Sequence, residues 1–186
     1  LAANSSAHLT EHLFNGVIAV ILPLITSSLG LSLAQAGMLA SARTLMAGVA
    51  SFPSGFFADL ASRRNLLLGL CIGVIGLASL GLSAVSSFPL LMIFMGLSGL
   101  GGGGFHPQSL AILSARYRDR RAFALGVHDS SANLGEVLGP LTIGLLLNFF
   151  EWRTTLQIWA IPGLAIGVMY AIFGGEADVV ALAHGR

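Results

Sequence analysis

Charged residues are scarce in this sequence. Of its 186 residues, 9% are charged and 55% are hydrophobic, whereas about one quarter of the residues of a soluble globular domain are charged. The sequence has no lysine, so all nine of its Lys and Arg residues are arginines. So few basic side chains exclude a surface that follows the phosphates of a nucleic acid. The composition predicts an integral membrane protein with no nucleic-acid partner.

Cysteine is nearly absent as well. The single cysteine, Cys71, lies in an apolar run and cannot form a disulfide framework or a metal cage alone. No spacing of His, Cys, Asp and Glu residues in the sequence predicts a metal site. Ser130 and Ser131 lie beside His128, but adjacent helical residues point in different directions, which argues against a hydrolase. We expect no enzymatic activity, no metal and no cofactor.

Long hydrophobic runs make up most of the remaining sequence. A helix needs about 20 apolar residues to cross the ~30 Å hydrocarbon core of a bilayer. Six windows meet this requirement, at residues 7–29, 33–58, 65–85, 88–115, 121–149 and 154–173. We therefore predict an all-α membrane protein in which residues 1–175 form six transmembrane helices. Residues 176–186 are expected to be a cytoplasmic tail or the start of a linker.

The arginines predict the orientation of these spans. Six of them lie in the second and fourth loops, at positions 63, 64, 116, 118, 120 and 121, whereas the first and third loops have none. Cytoplasmic loops carry the excess of basic residues. Loops two and four are therefore predicted to be cytoplasmic, which places both termini of this multi-pass protein on the cytoplasmic side of the inner membrane.

Span five carries two distinct faces. Asp129, Asn133 and Glu136 are spaced i, i+4, i+7 and share one face. Gly135 and Gly139 are four residues apart, a spacing that lets another helix approach its backbone closely. A helix with these two faces is expected to pack inside a bundle.

Ionisable residues occur in spans one, two, four and five. Because such residues are costly at membrane depth, we expect them to line a shared polar cavity. Spans three and six lack them and are expected to face lipid. His8 is interpreted as an interfacial residue, His106 as either a proton relay or a core histidine, and Arg43 as either an anion contact or a partner of an acid. The substrate cavity is assigned to His12, Asn15, Arg43, His106 and Asn133.

The second loop carries a known signature. Its stretch GFFADLASRR resembles the loop motif of the major facilitator superfamily, G-x-x-x-D-[RK]-x-G-[RK]-[RK]. The matching residues are Gly55, Asp59, Arg63 and Arg64. Leu60 stands where the motif has a basic residue, and Ser62 stands where it has glycine. The resemblance implies a gating role for the matching residues; the alternative is a generic basic cytoplasmic loop.

Span five resembles the antiporter motif of the same superfamily. The matching residues are Gly126, Gly135, Gly139, Pro140 and Gly144. Ile143 replaces one glycine of that motif. Helix packing alone is the alternative explanation, because glycine and proline are frequent in membrane helices.

Three further stretches resemble the fosmidomycin-resistance branch of the superfamily: AHLTEHLFNGVIAVILPLI, GLGGGGFHPQS and NLGEVLGPL. The resemblance implies the N-terminal half of a twelve-helix transporter, built as a 3+3 inverted repeat. It implies proton-coupled efflux of a small organic molecule by alternating access. Met92 stands where many drug antiporters have an arginine. The implied partners are the substrate, protons, the lipid bilayer and either the missing C-terminal half or a second copy.

Proton coupling requires a carboxyl group in the cavity. Glu136 lies about midway along span five, where poor hydration disfavours the carboxylate. We therefore predict that Glu136 carries the proton, with Asp129 second and Glu11 as a further candidate. Permanent pairing of Glu136 is the structural alternative. Three alternatives to proton-coupled efflux remain: a uniporter or a symporter of organic anions, with Arg43 as the anion contact, or a non-transporting half that assembles with a partner.

Overall fold

The computed structural model describes residues 1–60 and 64–173, without the side chains at positions 55, 57–60, 171 and 173. The described residues form no strand, which confirms the predicted all-α fold. The six helices are α1 (Ala2–Ser28), α2 (Leu33–Leu60), α3 (Arg64–Ala84), α4 (Phe88–Arg116), α5 (Arg121–Leu146) and α6 (Trp152–Phe173), with a 3-10 turn at Arg118–Arg120. The tail expected at residues 176–186 lies outside the described residues.

Among the described residues, α1, α3 and α4 are long and apolar enough to cross a membrane by length and composition. The longest of them, α4, has 29 residues. At ~1.5 Å per residue it exceeds the ~30 Å hydrocarbon core.

The turn between α1 and α2 is set by local hydrogen bonds. Gly30 has φ 63°, a left-handed conformation that ends many helices because glycine has no Cβ. The N–H of Ser32 donates to Oε1 of Gln35 at 2.9 Å, and the N–H of Gln35 donates to Oγ of Ser32 at 3.2 Å. This reciprocal cap begins α2 immediately after the turn.

Helix α5 packs closely on α1. A methyl group at Gly135 would overlap the carbonyl oxygen of Leu9, and one at Gly139 would lie 2.5 Å from the carbonyl oxygen of Leu13. By contrast, a methyl group at Gly126 or Gly144 would meet no atom within 4 Å. Two of the glycines in the span-five motif therefore permit the close approach of α1, and the other two do not contribute to it.

Helix α3 packs on α6 and on α4. A methyl group at Gly76 would lie 2.9 Å from the backbone nitrogen of Leu164, and one at Gly167 would lie 2.8 Å from Cα of Gly73. Helices α3 and α6 both expose large apolar side chains, including Leu77 on α3. Their predicted contact with lipid remains a prediction, because α2 and α5 expose apolar side chains too.

The glycine run of α4 lets one helix contact three others. A methyl group at Gly103 would overlap the carbonyl oxygen of Ala47 in α2, and one at Gly101 would lie 2.6 Å from the carbonyl oxygen of Cys71 in α3. One at Gly102 would lie 2.9 Å from Oε1 of Glu11 in α1. The run therefore provides the space in which the polar residues of α1 meet α4.

Candidate functional site

Polar residues on one face of α1 form the centre of the site. His8, Glu11, His12 and Asn15 are spaced i, i+3, i+4, i+7 and therefore share a helical face. Their side chains meet His106 from α4, and His128 and Glu136 from α5. We call these seven residues the polar cluster.

The histidine rings of the polar cluster are in mutual contact. The His8 ring stacks on His128, with centroids 3.7 Å apart and planes at 13°. Its edge-to-face contacts with His12 and His106 have centroid separations of 4.6 Å and 5.2 Å. His8 is 4% exposed and His128 is fully buried. His8 therefore lies at the centre of the cluster, whereas no part in the site was predicted for it from the sequence.

Hydrogen bonds orient three of the rings. Nδ1 of His8 lies 2.9 Å from the carbonyl oxygen of His128, so this nitrogen must carry the proton and donate. Nδ1 of His12 lies 3.0 Å from Oε1 of Glu136. Nε2 of His128 lies 3.0 Å from Oγ of Ser109, whose hydroxyl donates to Oδ1 of Asn4. As a result, Nε2 of His8 and Nε2 of His12 face each other at 3.1 Å.

Glu11 is the most deeply buried carboxyl group of the cluster, with 2% exposure. Nδ2 of Asn15 donates to both of its oxygens, at 3.2 Å and 3.3 Å. Its Oε2 lies 3.4 Å from Nε2 of His12 and 3.7 Å from Nε2 of His106. A guanidinium nitrogen of Arg43 donates to Oδ1 of Asn15, so the polar contacts extend into α2.

Glu136 differs from the expectation in its hydration. Its side chain is 57% exposed, whereas that of Glu11 is 2% exposed. Glu136 contacts His12 through Oε1, but more than half of its side chain remains exposed. Glu136 was expected from the sequence to be poorly hydrated. Of the two carboxyl groups, it is Glu11 that is shielded from solvent.

A cavity of 280 Å³ opens onto the cluster. Its lining includes His8, His12, His106 and His128 together with Asp129 and Asn133. A larger cavity of 810 Å³ lies between α2 and α4 and has an almost entirely apolar lining that includes Met38, Met46 and Met92. We assign the functional site to the smaller cavity, because it has the polar groups that can bind or transfer charge.

The gating loop lies largely outside the described side chains. Gly55 and Asp59 belong to the last part of α2, but their side chains are not described, and Arg63 lies between the two described ranges. Arg64 begins α3 and is 6% exposed.

Two contributions to the site were not predicted from the sequence. Asn4 and Ser109 hold the His128 ring, and His8 joins the cluster. The i, i+4 spacing of His8 and His12, with Glu11 on the same face, is the sequence signal that identifies this face of α1. No comparable signal identifies Asn4 or Ser109, because they meet only through the packing of α1 on α4.

Comparisons with known proteins agree with this architecture. Residues 5–182 match the family model described as Major Facilitator Superfamily. The chain is 28% identical over 148 residues to the fosmidomycin resistance protein of Escherichia coli, covering 79% of this chain and 36% of that protein. It is 29% identical over 150 residues to a probable hexose phosphate transport protein of Chlamydia trachomatis, covering 80% of this chain and 32% of that protein.

A solved structure has the same fold. A bacterial homologue of the human lysosomal transporter Spinster, in an inward-facing and unoccupied conformation, matches with a TM-score of 0.79 and 20% identity. The match covers 94% of this chain and 42% of that chain. The chain thus spans about a third of the length of the curated relatives and matches under half of this solved structure, a length that fits one six-helix half.

Proposed function

The chain belongs to the Major Facilitator Superfamily, and from this premise we propose that it is the N-terminal half of a secondary active transporter of the inner membrane. The transporter exchanges protons for a small organic molecule, which it exports by alternating access. Its second half is either the C-terminal part of a longer chain or a second copy. Both termini of the half lie in the cytoplasm.

The polar cluster is the observation that carries this proposal. Glu136 is exposed and touches His12, and His12 in turn touches His8 and Glu11. An imidazole can accept a proton at one nitrogen and release one from the other. Glu136 therefore exchanges protons with the open side, and His12 passes them to the buried carboxyl of Glu11. Asp129, in the wall of the same cavity, is the second carboxyl at the entrance.

Substrate binding uses the same cavity and its neighbours. Asn133 and His106 line the cavity, and Arg43 and Asn15 continue its polar contacts toward α2. The apolar cavity between α2 and α4 supplies contact area for the hydrophobic part of an organic molecule. The polar cavity and the separate apolar cavity together suit a small organic molecule that has a polar part and an apolar part.

The test is transport by the full-length protein in proteoliposomes with a pH gradient, using fosmidomycin as the probe. Glu136→Gln keeps the size and hydrogen bonding of the side chain but cannot ionise. We expect it to abolish transport driven by the gradient while leaving counterflow exchange measurable. Glu151→Gln, an exposed carboxyl group outside the polar cluster, is the matched control and should transport normally.

Two results would contradict this assignment. Undiminished transport by Glu136→Gln would move the proton to Asp129 or Glu11, and Asp129→Asn and Glu11→Gln would then be measured in the same assay. Equal loss by Glu151→Gln would show that removal of any carboxyl group impairs the protein.

A second candidate function is transport of an organic anion. Arg43 favours it, because its guanidinium group donates to neutral Asn15 and its buried Nε has no hydrogen-bond partner among the described residues, which leaves a donor for a bound anion. One of the relatives is a probable hexose phosphate transport protein. Uptake of glucose 6-phosphate that is lost in Arg43→Gln, together with no movement of fosmidomycin, would establish this function instead.

A further inference from the structure

Two histidine nitrogens of the polar cluster, Nε2 of His8 and Nε2 of His12, face each other at 3.1 Å. His8 uses its Nδ1 hydrogen to donate to the carbonyl oxygen of His128 at 2.9 Å. When Glu136 is ionised, His12 uses its Nδ1 hydrogen to donate to Oε1 of Glu136 at 3.0 Å. In a neutral imidazole the other nitrogen then carries a lone pair. The two lone pairs, on nitrogens 3.1 Å apart, repel each other unless a cation lies between them.

Two further donors complete a coordination shell. Oε2 of Glu11 is 3.4 Å from Nε2 of His12 and 3.7 Å from Nε2 of His106. The donor atoms of His8, Glu11, His12 and His106 all lie within 4.8 Å of one another. Tetrahedral Zn²⁺ with bonds of about 2.0–2.1 Å separates its ligands by about 3.3 Å. The three shorter distances in the cluster, 3.1, 3.4 and 3.7 Å, lie on both sides of this value.

The surroundings of these donors are those of a metal site. Histidine ligands usually donate their second N–H to a carboxylate or a backbone carbonyl, which orients the ring. Glu136 does this for His12, and the carbonyl of His128 does it for His8. Glu11 is buried, and a bound cation offsets the cost of burying its charge. The cavity of 280 Å³ beside His8, His12 and His106 provides a path of entry.

We propose that His8, Glu11, His12 and His106 bind one divalent transition-metal ion of the Zn²⁺ type, which links α1 to α4. Three imidazoles and one carboxylate suit Zn²⁺ and its neighbours in the first transition row, whereas Mg²⁺ and Ca²⁺ require oxygen ligands. The expectation of no metal site rested on sequence spacing, and the fourth donor, His106, comes from a different helix. Metal binding does not depend on the substrate or the direction of transport. It uses Nε2 of His12 and Oε2 of Glu11, which are also the atoms of the proposed proton path, so metal binding and proton transfer through His12 exclude each other.

The test is titration of the purified full-length protein, free of any histidine tag and treated with a chelator, with Co²⁺ as a spectroscopic substitute for Zn²⁺. We expect one equivalent of Co²⁺ to give the visible absorption of a tetrahedral site, and Zn²⁺ to remove that absorption. Mg²⁺ in large excess should leave it unchanged. X-ray absorption by the Zn²⁺-loaded wild-type protein should show three imidazoles at about 2.0–2.1 Å.

Variants separate the ligands from their surroundings. Glu136→Gln should weaken Zn²⁺ binding about 10–100-fold, because it orients a ligand without touching the metal. His106→Gln should weaken binding further and change the Co²⁺ spectrum. His184→Gln, the same type of substitution outside the described residues, is the matched control and should bind as the wild type does.

Three outcomes would overturn the proposal. The first is wild-type protein that gives no tetrahedral Co²⁺ spectrum, in which case a shared proton separates His8 and His12. The second is an X-ray absorption spectrum with one imidazole or none. The third is a folded His106→Gln protein with unchanged affinity. The first two need no variant, so a misfolded mutant does not affect them.

Discussion

Gly102 and its neighbour Gly103 make room for different groups: Gly102 for the Glu11 side chain and Gly103 for the backbone of α2. A methyl group at Gly102 would press on the end of the Glu11 side chain, whereas one at Gly103 would overlap the backbone of α2 at Ala47. A side-chain tip can move away, but a helix backbone cannot do so without repacking.

We therefore predict that Gly102→Ala folds with nearly normal stability and displaces the Glu11 carboxylate, whereas Gly103→Ala lowers stability by about 1–3 kcal/mol. Tryptophan fluorescence during thermal unfolding of the two purified variants measures the difference, since Trp159 is buried in the core. Equal melting temperatures would contradict the assignment of these two glycines to different neighbours.

Individual residues also show what sequence reasoning could not reach. Residues 8, 11, 12 and 15 form one face of α1 because of the helical period alone, so their proximity follows from the sequence. Which helix that face meets depends on tertiary packing. His8 lies near the start of α1 in the sequence, yet α5 covers it completely enough to leave 4% exposed.

Helix boundaries were predicted well at the level of elements. The span predicted at residues 88–115 corresponds to Phe88–Arg116, and that at 154–173 corresponds to Trp152–Phe173. Hydropathy is sufficient here because each run must be long enough for the bilayer. Which helices pack against each other could not be predicted as well. The sequence suggested a close approach at Gly135 and Gly139, but it did not identify α1 as the neighbour.

Arg153, near the start of α6, links that helix to the C-terminal end of α3. Its guanidinium group donates to the carbonyl oxygens of Ser83 and Val85 at 2.7 Å and 3.0 Å, and to Oγ of Ser86 at 2.9 Å. Arg153 therefore satisfies carbonyl groups left free at the C-terminal end of α3 and complements its dipole.

Arg153→Ala should lower stability by about 1 kcal/mol, a value reduced for partial exposure to solvent. Arg153→Lys should recover only part of it, because lysine lacks the planar fork that reaches two carbonyl groups. Arg120→Ala, at an exposed position in the 3-10 turn, is the control. Thermal unfolding should separate Arg153→Ala from this control by about 2–4 °C; no separation would contradict the capping role.

Across the described part of the molecule, helices α2 and α5 both expose large apolar side chains. Phe52 and Val49 on α2, and Val137 and Leu141 on α5, are all at least half exposed. Large contiguous apolar surfaces on a membrane protein face either lipid or another protein segment. The exposed apolar side chains of α2 and α5 are therefore predicted to contact either lipid or the second half of the proposed transporter.

Orientation in the membrane is the prediction on which the direction of transport depends. Helix α4 begins at Phe88 and ends at Arg116, so its 29 residues extend about 43 Å at ~1.5 Å each. Ser87 and Arg118, just beyond the two ends, must therefore lie on opposite sides of a ~30 Å hydrocarbon core. The concentration of arginines beside Arg118 indicates which of them is cytoplasmic.

A cysteine introduced at either position reports the side directly once Cys71 has been replaced by alanine. Ser87→Cys should react with a membrane-impermeant thiol reagent in intact cells, because Ser87 is exposed and precedes α4 on the side that the arginines predict to be outside. Arg118→Cys should react only after the cells are permeabilised. The reverse pattern would invert the topology, place both termini outside, and make the open face of the polar cluster take up protons from the opposite side of the membrane.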